Sequence, residues 1–138
     1  MKVVALALSV VLAAAAPAPA FAEPVSQTFP VPLERAWSTT EKILKHLGWD
    51  IDQADRSIGW ITTDSRRLEG EDYGVYAKGS RHRLRIHLKA DGESRTTISV
   101  ERSVFKRERI LWMDKDEPVK TEDQTVEKNV LSAIGKSF

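Results

Sequence analysis

The sequence predicts a two-layer α+β domain, an antiparallel sheet with two helices packed on one face. Three observations carry that expectation. An amphipathic helical stripe lies near the start, a second lies at the end, and between them apolar residues recur at every second position. A sheet that is apolar on only one face needs a cover, and two helical stripes supply one.

Residues 1–22 are set aside before the domain is read. Lys2 precedes an apolar run from Val3 to Ala15 that is short for a bilayer span. Ala20-Phe21-Ala22 then gives the small-x-small pattern of a secretory signal cleaved before Glu23. Pro17 and Pro19 argue against an uncleaved helical anchor. The chain has no cysteine, which excludes both a disulfide and a lipid held by a cleavage-site thiol. The expected mature protein, residues 23–138, is exported, periplasmic and long enough for one core.

The elements follow in order. Val25, Gln27 and Phe29 alternate with Ser26 and Thr28 as a short strand ending at Pro30. Pro32 suits a first helical turn, and Leu33, Ala36, Trp37, Thr40, Leu44 and Leu47 recur at helical spacing, widened by Ile43. Gly48 stops that helix. From Trp49 the period becomes two, through Ile51 and Gln53 to a turn at Ala54–Ser57, and Ile58–Thr63 forms another strand whose inward side is ambiguous. Ser65–Ser80 shows no period and carries Gly70, Gly74 and Gly79, so this long connection is either mobile or used.

Next come Leu84, Ile86 and Leu88 facing one way, with Arg81, Arg83, Arg85, His87 and Lys89 facing the other. Ala90-Asp91-Gly92 suits a three-residue hairpin loop that sets Leu84 opposite Ile98 and Arg81 opposite Glu101. Thr96, Ile98 and Val100 continue inward, and the phase is lost near Phe105, which suggests a bulge or bend. Ile110–Met113 extends the ribbon or forms a further short strand. Asp114, Asp116 and Glu117 read as a charged turn ending at Pro118. Thr121–Gln124 matches a capping box, and Val126, Val130, Leu131, Ile134 and Phe138 mark one face of the closing helix.

Composition narrows the function classes. With 21 basic and 20 acidic residues the formal net charge is +1, which argues against a general nucleic-acid binder. The charge is unevenly placed: Arg81–Arg109 holds nine lysines and arginines against four acids, and Asp114–Asp123 is mainly acidic. No catalytic set emerges. His46, His82 and His87 lack the spacing of a zinc motif, and no G-x-S-x-G is present. The glycines of the long connection match neither a phosphate loop nor a dinucleotide fingerprint. No cofactor or metal is expected. Trp37 and Trp49 read as core, whereas Trp60, Trp112, Tyr73 and Tyr76 are candidate contact aromatics.

The segment Ala36–Asp64, "AWSTTEKILKHLGWDIDQADRSIGWITTD", resembles a domain of the BamC lipoproteins (NlpB/DapX). The resemblance continues through "GSRHRLRIHLKADGESRTTISVE" to "TVEKNVLSAIGKSF" and covers most of the mature chain in order. It implies a helix-grip domain and an accessory role in the complex that inserts β-barrel proteins into the outer membrane, with no catalytic residues to carry over. The chain departs from that family in having no anchor cysteine, no long segment between Ala22 and the first helix, and one such domain where the family has two.

The function expected from the sequence is that of an exported, non-enzymatic adaptor for a protein partner of outer-membrane assembly, peripheral to that membrane. The alternative is a small-ligand or lipid carrier with a cavity between helix and sheet. The candidate surfaces are Tyr73 and Tyr76 in the long connection and a cationic strand face of Arg83, Arg85, His87 and Arg95, joined by Lys106 or Arg107. That face is the solvated side of the sheet or a site for an anionic lipid surface or acidic protein.

Overall fold

A computed structural model describes residues 23–68 and 77–138. The expected signal segment, together with Tyr73 and Tyr76, lies outside the described residues. The element order is β1 (Val25–Phe29), α1 (Leu33–His46), β2 (Ile51–Asp55), β3 (Trp60–Thr63), β4 (Arg66–Arg67), β5 (Ala77–Ala90), β6 (Thr96–Ile110), β7 (Met113–Val119) and α2 (Thr125–Lys136). The strands form one antiparallel sheet in the order β1-β6-β5-β3-β2, with β4 also on β5 and β7 also on β6. The α+β class is as the sequence predicts.

The periodicities explain the core. Leu84, Ile86 and Leu88 of β5, Ile98 and Val100 of β6 and Ile61 of β3 are buried, and they share one cluster with Ala36, Trp37 and Leu44 of α1 and Val130, Leu131 and Ile134 of α2. Both helices therefore cover the same apolar side of the sheet. Thr63 resolves the ambiguity of β3: it points inward beside Ile61, and its hydroxyl accepts the Leu84 N–H at 2.9 Å. Trp60 is thereby turned outward. Gly48, at φ 85°, ends α1 just past its cap, as expected, although Leu47 leaves the stripe and is 37% exposed.

Four local expectations are corrected. The β5–β6 loop has five residues, Asp91–Arg95, instead of three, closed by Asp91 N–H to Arg95 C=O at 2.9 Å and an Arg95–Asp91 ion pair at 2.7 Å. Leu88 consequently faces Ile98, Leu84 faces Arg102, and Arg85 faces Glu101. The slip from the expected pairing is even, so no side chain changes face and the core survives the error. The irregularity expected near Phe105 is present: the β5–β6 register slips by one residue between Ala77 and Ser80, opposite Glu108 and Lys106. β6 keeps alternating, with Arg102 and Val104 inward, and Phe105 is buried on the outer face beneath Arg83 and Arg107.

The acidic segment after Met113 is strand β7 and not a turn. The register sets Lys106 opposite Glu117 and Arg107 opposite Asp116, and the second pair closes as an ion pair at 2.8 Å. The connection from Ser65 is strand at both ends: β4 pairs with Arg81 and His82, and β5 starts at Ala77. Finally, the capping box does not form. The Gln124 side chain donates to the Glu23 carbonyl, and Asp123 Oδ1 instead accepts from the N–H and hydroxyl of Thr125, at 3.0 and 2.6 Å.

Candidate functional site

The outer face of the sheet gathers most of the predicted cations. Alternation on β5 places Arg81, Arg83, Arg85 and His87 there, and odd positions of β6 add Glu101, Phe105 and Arg107. Trp60 and His87, register partners, stack with ring centroids 4.4 Å apart, and the Arg85 guanidinium lies 4.9 Å from the Trp60 ring. Arg85 Nε also donates to Glu101 at 2.9 Å. Arg83 and Arg107 sit 5.0 and 5.5 Å from the Phe105 ring, and Arg107 grips Asp116 through two nitrogens at 2.8 and 3.1 Å. The Arg107 hydrogen bonds hold the Asp116 carboxyl below the usual carboxylate range. Cations, carboxylates and rings thus form a ladder in which most positive charge is answered within the face.

Two predicted members do not join it. Arg95 lies in the 91–95 loop, committed to Asp91, and Lys106 points to the side opposite Arg107 because it is one residue out of phase. Where Arg81, Arg83 and Arg107 approach one another they line an open polar hollow of about 350 Å³ with Asp52, Asp64 and Ser65. Arg81 is anchored there by Ser65, donating to its hydroxyl at 2.9 Å and its carbonyl at 2.7 Å. Three guanidinium groups meet the carboxylates of Asp52 and Asp64 there, and Asp116, held by Arg107, adds a third. Hydrogen bonds to anions fit such a place, but its own acids compete.

His82 belongs to a buried network. Its ring tilts against Trp49 at 4.7 Å, Nε2 accepts from Arg66 at 3.4 Å, and Nδ1 lies 3.3 Å from Arg102. Burial, followed by the positive charges of Arg102 and Arg66, lowers its pKa to about 4, so the imidazole is neutral at pH 7. Arg102, 5% exposed, donates to the fully buried Glu127 at 3.0 Å and to the Asp123 carbonyl at 3.1 Å. These bonds tie β6 to the start of α2. The sequence reading missed the pair, although its signal was present: Glu127 shares the stripe of Val130, Leu131 and Ile134, and Arg102 follows Ile98 and Val100 at the inward period.

A different surface stands at the far end of the ribbon. Leu111 and Trp112 join β6 to β7, and Leu111, Trp112 and Met113 are 80%, 80% and 63% exposed. Leu111 has φ 56°, a conformation that glycine or asparagine adopts at less cost than a branched aliphatic residue. Among the described residues no group of three or more His, Asp or Glu could hold a metal ion, and no helix is long and apolar enough to cross a membrane. No protein-family model matches the chain, and no characterised protein compared with it is significantly similar in sequence.

Proposed function

We propose that this protein is an exported, non-enzymatic adaptor that docks on a protein partner through the Leu111-Trp112-Met113 tip of the β6–β7 ribbon. One observation carries the reading: a large aliphatic residue is held at positive φ, beside an exposed tryptophan and methionine, on a ribbon that extends past the core. Water gains nothing from that arrangement, whereas a partner groove would bury all three side chains, and aromatic and methionine anchors are favoured at such contacts. The resemblance to BamC supplies a setting, β-barrel assembly at the periplasmic side of the outer membrane, and a helix-grip arrangement for the domain.

The carrier alternative would have to use the open cleft between α2 and β1, because Leu44, Ile86 and Ile98 are completely buried in a single core under α1. Photocrosslinking in living cells from a reactive residue at position 112 tests the adaptor reading. Crosslinks to a discrete protein, absent from a control at exposed Glu34, are expected. Labelling of lipid alone, or of no protein, refutes it. Sedimentation with anionic vesicles at low salt tests the second partner, a lipid surface, and binding that survives loss of the tip would transfer it to the arginine ladder.

A further inference from the structure

The sheet ends at β1. Its inner neighbour is β6, and no described strand pairs with its other edge. Val25–Phe29 contains no lysine, proline or bulge, the usual means by which an edge is protected. Ser26 and Thr28 face outward, bonded to the hydroxyls of Ser99 and Thr97 at 2.7 and 2.8 Å, so Val25, Gln27 and Phe29 face the side of α2. The helix closes over Phe29, which is buried against Gly135, but leaves Val25 half-buried and Gln27 exposed. An open cleft of about 460 Å³ remains between β1 and α2, with Val25, Phe29 and Leu131 as its apolar lining and Lys128 and Lys136 on its helical wall.

The two lysines lie two turns apart, about 12 Å along the helix axis. Both are exposed, and neither forms an ion pair within 4 Å among the described residues; the carboxylate that feels Lys128 is Asp123, at the helix start. An open strand edge, an apolar floor and two spaced cations match one mode of recognition, in which an extended peptide adds a strand to a sheet beside a helix. We propose that an acidic, extended segment of a partner protein adds to the free edge of β1, seats an apolar side chain beside half-buried Val25 at the rim of Phe29 and Leu131, and sets carboxylates beside Lys128 and Lys136. The inference rests on the adaptor reading only in taking the occupant to be protein, because the cleft is separate from the 111–113 tip.

Amide-resolved NMR of the purified protein tests it, with a capped seven-residue peptide alternating Glu with Val and Phe as the probe. Shifts confined to Val25–Phe29 and to Lys128–Lys136 are expected. A counterpart with Lys in place of Glu should not bind, and methylating alternate peptide nitrogens, which removes the donors for strand pairing, should weaken binding by about tenfold or more. The Lys128→Glu/Lys136→Glu double variant should melt unchanged and weaken the acidic peptide by about tenfold or more, as should raised salt in the parent protein. No shifts at about 1 mM peptide, shifts elsewhere, or equal binding of the methylated peptide would each overturn the proposal. Protein crosslinks from position 112 with a silent cleft would sink this inference alone; peptide binding in the cleft without such crosslinks would sink the tip reading alone.

Discussion

Arg102 and Glu127 show how a charged pair can sit inside an apolar stripe. Each follows the period of its element, so each is carried into the interior, and each is tolerable there because the other arrives with it. Glu127→Ala should cost about 3–5 kcal/mol in urea denaturation, because it leaves the Arg102 guanidinium buried without its counter-charge. Replacing both residues with Arg102→Met and Glu127→Leu should recover most of that loss; a double variant as unstable as the single would show that packing, not charge, is at stake. His82 beside them makes stability depend on pH. The unfolded imidazole titrates near 6.5 and the folded one near 4, so between those values only the unfolded chain binds the proton. Stability is therefore complete above about pH 6.5 and falls by as much as about 3 kcal/mol as pH drops toward 4. His82→Gln should flatten that slope. Asp55, Asp116 and Asp123, all held below the usual carboxylate range, begin to withdraw their contributions only below about pH 5, where the unfolded carboxyls take up protons, so the slope from about pH 6.5 to 5 reports His82.

The β6–β7 ribbon is an element stabilised by its edges. The backbone ladder and the Arg107–Asp116 fork hold it, and its tip is largely exposed. Leu111→Gly should therefore leave thermal stability unchanged or raise it by up to about 1 kcal/mol, since glycine adopts positive φ freely, while abolishing the crosslink from position 112. A loss of stability would mean that Leu111 is part of the fold. The β5–β6 hairpin was legible in its faces but not in its loop. Sequence period decides which side a residue takes; the number of loop residues depends on the Asp91–Arg95 contact and on Gly92 at φ 85°, and a period of two cannot count them.

The molecule as a whole is one cover on one sheet face. Leu84, Ile86, Ile98 and Val100 are completely buried under both helices, so Ile86→Ala should cost about 2–5 kcal/mol and lower a single cooperative melting transition. Two separate transitions would mean that α1 and α2 guard independent cores. On the opposite face the charge ladder answers most of its own cations. The local excess of arginine in the sequence therefore overstates the field that a polyanion would meet.

Periodicity alone carried the class, the two helices, the inward Leu84-Ile86-Leu88 row and the grouping of Arg83, Arg85 and His87, because burial on one face imposes a repeat that can be counted along the chain. It could not reveal that Arg95 is spent on Asp91, that Arg102 meets Glu127, that Phe105 is capped by two arginines, or that no described strand pairs with the outer edge of β1 beside Lys128 and Lys136. Those facts depend on which distant segments meet. The free energy of such meetings comes from ion pairing, desolvation and strand pairing across the sheet, and none of these leaves a period in the sequence.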